Sequence, residues 1–173
     1  MKNKFLVLLI CLLSIGKISF ARNGPGQNFT LLSGDQIYLH TAKGNIKFFS
    51  IKQSNIVSLL GKPKRVKKLY SEIEETMVST YIYNEAEISF DKDGDFDDFD
   101  IKSPLWGLVF KVNNKFSIPF TLNSDADRLK ALLPHLDERN KNLVLWIKGS
   151  DGSISFSIVG NKIKGLGYFF DIS

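Results

Sequence analysis

Six aspartates crowd the ten residues from Asp91 to Asp100 (DKDGDFDDFD), the run richest in groups that could do chemistry. Asp91, Asp93 and Asp95 have the 1, 3, 5 spacing of an EF-hand loop, in which alternate carboxylates converge on one calcium ion. The rest of that loop is missing. Gly94 falls at the fourth position instead of the sixth, Phe96 takes the glycine's place, and Lys102 stands where the bidentate glutamate belongs. The run therefore reads as a hairpin: Asp93-Gly94 is a turn pair, and Phe99 and Ile101 alternate with Asp98 and Asp100 on a solvated acidic face. No metal is assigned to it, and Asp93, Asp95 and Asp98 become candidate contacts for a partner.

Other reactive side chains are sparse. His40 and His135 are the only histidines, and neither sits in a His-x-x-x-His or His-Glu-x-x-His spacing that would hold zinc. Gly149-Ser150-Asp151-Gly152 is not a Gly-x-Ser-x-Gly nucleophile elbow and reads as a hairpin turn. No phosphate-cradling glycine loop is present, so neither a catalytic residue nor a cofactor is assigned. The basic cluster Lys62, Lys64, Arg65, Lys67 and Lys68 lacks interleaved aromatics and is followed by Glu72, Glu74 and Glu75, which makes it a solvated connector.

Aromatic residues are plentiful, with 14 Phe, five Tyr and two Trp. Most belong to a core. Tyr81 and Tyr83 share one side of a strand and Ile82 the other, and Trp146 alternates likewise with Leu145 and Ile147. If the isoleucine points inward, Tyr81, Tyr83 and Trp146 decorate an open sheet, the material of protein-binding surfaces.

The elements that would position these residues follow in order. Ile37, Leu39 and Thr41 alternate as a strand and turn back through Ala42–Asn45. Ser50 with Gln53 predicts a capped helix with Ile56, Leu59 and Leu60 on its apolar face, stopped by Gly61 and Pro63. Strands follow over 77–83, 86–91 and 96–101. The same parts then recur: a hairpin over 105–122, a helix opened by Ser124 with Leu129, Leu132 and Leu133 inward, and strands over 143–148, 154–159 and 163–170. The expected fold class is α+β, as two degenerate repeats over 35–103 and 104–173, each an antiparallel β-sheet with a short helix packed on one face. A flexible leader is expected over 22–34.

The order Ile56-x-x-Leu59-Leu60-Gly61-Lys62-Pro63, aromatic strand, acidic hairpin, then Ser103-Pro104-Leu105-Trp106-Gly107 and Val112-Asn113, resembles uncharacterised exported bacterial proteins built from tandem helix-plus-meander repeats. More distantly it is similar to the SmpA/OmlA and beta-lactamase-inhibitor-protein-like fold. The resemblance implies a protein-binding surface on a sheet and no catalytic residues. The lipidated cysteine of SmpA/OmlA-type proteins has no counterpart at the expected mature start.

Residues 1–21 read as a signal peptide, with Lys2 and Lys4 before the apolar run Phe5–Ile15 and Ser19-Phe20-Ala21 at a cleavage site. They hold three lysines and no acid, so their removal lowers the net charge from +5 to +2, which does not suit a nucleic-acid binder. They also hold Cys11, the only cysteine, so the expected exported chain has neither disulfide nor thiol chemistry. The sequence thus leads to a periplasmic or secreted, non-catalytic module that binds a protein as an inhibitor, immunity factor or envelope scaffold. A hydrolase with an unfamiliar site and a calcium-dependent binder are the alternatives.

Overall fold

The computed structural model describes residues 29–72 and 75–170, so the expected signal peptide and residues 22–28 of the leader lie outside the described residues. The elements are β1 (Leu31–Ser33), β2 (Ile37–Thr41), β3 (Gly44–Lys47), α1 (Ile56–Leu60), β4 (Arg65–Ser71), β5 (Thr76–Ile82), β6 (Ala86–Phe90) and β7 (Phe96–Ile101). Then come β8 (Gly107–Val112), β9 (Lys115–Phe116), β10 (Phe120–Thr121), α2 (Ala126–Leu132), β11 (Asp137–Arg139), β12 (Asn142–Lys148), β13 (Gly152–Val159) and β14 (Lys162–Phe170).

Strand makes up 53% of the described residues and helix 13%, which places the fold near all-β and overturns the expected α+β class. Nor does each half close a sheet of its own. The two meanders merge into one nine-stranded sheet, ordered β1-β12-β13-β14-β7-β6-β5-β4 with β11 also on β12. The join is β14 against β7, where Tyr168 faces Phe99 and Gly167 faces Asp100. The hairpins merge in a five-stranded sheet, β10-β8-β2-β3 with β9 on β8. Pooling has a physical cause: one larger core buries a greater share of its surface than two small ones, and each joined edge removes unpaired backbone from solvent.

The core lies between the two sheets. Phe110 of β8 meets Phe156 of β13, and Phe48, in a 3₁₀ turn after β3, packs against Phe96, Phe99 and Tyr168 with ring centres 4.6–5.8 Å apart. Phe96 and Phe99 both point inward although three residues apart, which a regular strand forbids. A β-bulge resolves this: Phe90 faces Phe96 and Ser89 faces Asp98, leaving Asp97 as the extra residue.

The helices are shorter than expected. Ser50 does not cap α1; its hydroxyl donates to Lys47 O, and Asn55 holds the cap position. Ile56 and Leu60 are buried, and Gly61 ends the helix at φ 95°, a conformation that glycine adopts without a Cβ clash. In α2 the cap is Asp125, whose carboxylate accepts from Asp127 N, while Ser124 Oγ instead accepts from Thr121 N. Two further corrections matter below. Leu31–Ser33 of the expected leader is strand β1, running parallel to β12 with Leu32 buried, and the charged connector contains strand β4.

Candidate functional site: the open face of the large sheet

Side chains alternate across the nine-stranded sheet, so register assigns each to a face. Ile88, Phe90, Phe99, Ile154, Phe156 and Tyr168 point to the core. The other face carries rows that run from strand to strand. One row joins Leu31, Trp146, Ser153 and Phe169 across β1, β12, β13 and β14. The next joins Asp137, Val144, Ser155, Gly167, Asp100, Glu87, Ile82 and Arg65 from one side of the sheet to the other. Leu31 is 51% exposed and Phe169 42%, with Trp146 half-buried between them. Ser153 is buried beside Trp146 and Phe169, and its hydroxyl has no hydrogen-bond partner among the described residues.

Composition changes across this face. At one side stand the apolar Leu31, Trp146 and Phe169, with Val144 buried beside them. The middle is floored by small residues, Ser155, Ser157, Gly165 and Gly167, so backbone lies close to the surface there. Beyond them the acids Glu87, Asp98 and Asp100 line β6 and β7, and Arg65 and Lys67 of β4 close the far side.

Trp146 is held through its indole nitrogen and covered over its ring. Its indole N–H donates to Asp137 Oδ2 at 3.2 Å, the same oxygen accepts from Arg139 Nε at 2.6 Å, and the guanidinium lies 5.3 Å from the indole centre. A large aromatic with its rotamer fixed loses little entropy on contact with a partner.

The other expected contacts scatter. Asp98 is on the open face and exposed, yet desolvation by its strand neighbours raises its carboxyl above the usual range, and Asp100 and Glu87 add to this. Asp100 itself pairs with Lys102. Asp93 and Asp95 sit at the β6–β7 turn, away from this row: Asp95 pairs with Lys52 at 2.7 Å, and Gly94 O accepts from Gln53 N. The Asp91 carboxylate accepts from the amides of Asp93 and Asp95, capping the turn. Among the described residues no group of three His, Cys, Asp or Glu side chains is placed to hold a metal ion.

Tyr81 and Tyr83 are on the core side, opposite to expectation, because Tyr81 pairs across strands with buried Ile88. Tyr83 is only 7% exposed, stacks at a tilt on Trp106 and donates its hydroxyl to Gly61 O at 3.1 Å. Burial, with a smaller contribution from Tyr81, pushes its phenol up to about 12. Tyr81 is half-buried, edge-on to Phe90 at 5.5 Å. His40 bonds Asn45 through Nδ1 at 2.8 Å, and His135 is exposed in a left-handed turn at φ 65°. The cleft lined by Phe49, Lys52, Asp95, Lys148, Ser150 and Tyr168 contains neither imidazole.

Sequence reasoning missed Leu31, Phe169, Asp137 and Arg139. The signal for the small-residue floor was present: Ser153, Ser155 and Ser157 alternate with Ile154 and Phe156, and Gly165 and Gly167 with Leu166 and Tyr168.

No protein-family model matches the chain, and neither a curated protein nor a solved structure matches it.

Proposed function

We propose that this chain is an exported, non-catalytic module that binds another protein through the open face of its nine-stranded sheet, as an inhibitor, immunity factor or envelope scaffold does. One observation carries the reading: the row of Leu31, Trp146 and Phe169, apolar side chains left in contact with solvent beside a floor of serine and glycine. Core residues of a soluble fold would be covered, and a face meant only for water would carry polar groups. Trp146, pinned by Asp137 and flanked by Arg139, has the composition of a binding hot spot, and the acidic strip of Glu87, Asp98 and Asp100 supplies orientation through charge. Residues 1–21 support export, and the partner sought is a protein and not a nucleic acid.

A photo-crosslinking amino acid placed at Ser155, tested in the native host, examines this directly. The expected result is one discrete protein adduct at Ser155 and none with the same probe at Val57, an exposed position on α1. Adducts at Val57 alone, or none at either, would remove the reading.

A further inference from the structure

The two sides of the large sheet end differently. On one, β12 is flanked by two strands of three residues each, β1 and β11. On the other, β4 runs for seven residues, with no strand outside it among the described residues. It pairs with β5 in unbroken register from Arg65–Ile82 to Ser71–Thr76, and contains neither proline nor bulge. Folds ordinarily shorten, kink, cover or charge such an edge, because every second residue turns its backbone N–H and C=O outward and can accept another strand; β4 has only the charge, which repels a basic strand and admits an acidic one.

The side chains of β4 say which strand would fit. Val66, Lys68 and Tyr70 lie on the core side of the sheet's plane and Arg65, Lys67 and Leu69 on the other. All six are exposed, Leu69 at 55% and Tyr70 at 61%. Arg65, Lys67 and Lys68, with Lys62 and Lys64 just before them, form no ion pair with an acid among the described residues. A second copy of β4 in antiparallel overlap would set Lys68 against Lys68 at the centre of the new ladder, and a parallel in-register copy would set every basic residue against itself. A bilayer would meet one side of the strand, whereas apolar and basic groups stand on both.

We propose that β4 is a strand-addition site for an extended acidic segment of a partner protein, its backbone completing the ladder and its carboxylates and apolar side chains alternating against those of β4. This edge adjoins the open face at Arg65 and Lys67 but takes its partner on the outward backbone of β4, so it stands or falls without the Trp146 row. The test titrates the full chain with a short, blocked peptide alternating valine and glutamate, followed by amide NMR. Shifts and slowed amide exchange are expected over residues 64–71, with unchanged binding in Ser155→Arg. N-methylation of alternate peptide amides, which removes several backbone hydrogen bonds, is expected to weaken binding about tenfold or more. The Lys67→Glu, Lys68→Glu double variant should lose about tenfold as well. Absence of binding, equal affinity for the N-methylated peptide, or shifts centred on Ser155 and Gly167 would each overturn the proposal. So would a chain that ignores the peptide and binds vesicles of phosphatidylcholine and phosphatidylglycerol.

Discussion

Tyr83 and Asp98 are both tuned by burial, and they separate core from surface at the scale of single residues. Tyr83→Phe keeps the ring on Trp106 and removes only the bond to Gly61 O. A loss of about 1 kcal/mol in unfolding free energy is expected, read from urea melts, with partner capture unchanged. At Asp98 the substitution acts in the opposite direction. Its carboxyl is raised in the folded chain, so its contribution is full below the ordinary value of 3.8 and is lost as pH rises through the raised value. At neutral pH the ionised group therefore opposes folding. Because Asp98 is exposed, Asp98→Asn should stabilise by no more than about 0.2–0.5 kcal/mol in thermal melts at pH 7. The same variant is expected to weaken partner capture.

At the scale of elements, the bulge on β7 reconciles two phenylalanines three apart with one core. Deleting Asp97 leaves Phe96 and Phe99 two apart, on one face of a regular strand, and the variant is expected to fold with a small drop in Tm. Deleting Ser89 from β6 instead puts Ile88 and Phe90 on opposite faces and should cost roughly 1.5–3 kcal/mol for the side chain expelled. Circular dichroism melts of the two deletions decide the point. Strands rich in apolar and aromatic residues between turn signals were legible in the sequence: β2, β7, β12, β13 and β14 lie within a residue or two of expectation. β4 was not, since its run of lysines has the composition of a loop, and only pairing with β5 makes it a strand. The face of β5 was also illegible. Tyr81-Ile82-Tyr83 alternates whichever side is inward, and the choice is made by Ile88 across the ladder. Phe120, in the hairpin expected over 105–122, belongs to a two-residue piece because Pro119 interrupts the ladder before it.

For the whole molecule, the sequence supplied the order of parts but not their assembly. Hairpin and meander lengths are local, whereas pairing β7 with β14 and β2 with β8 depends on contacts far apart in the chain. The joined core also sets the behaviour at high pH. Tyr83 and Tyr168, both desolvated, hold their phenols up to about 12 against an ordinary 10.0, with Asp97 adding at Tyr168 and a hydrogen bond from Ser150 opposing. Above pH 10 the unfolded chain has released protons that the folded chain keeps, so stability is full below 10 and falls as pH rises towards 12. Thermal melts across that window are expected to show a shallower fall for Tyr83→Phe than for the unmodified chain.

The account rests on one face of the large sheet being the working surface, and a matched pair of charge insertions tests it most directly. Ser155→Arg places a long cation on the small-residue floor, and Val57→Arg places the same group on α1, away from it. Both should keep the Tm of the unmodified chain. In quantitative capture from extracts of the native host, the protein retained by the unmodified chain is expected to be retained by Val57→Arg and lost by Ser155→Arg. Undiminished capture by Ser155→Arg, or loss through Val57→Arg alone, would contradict it.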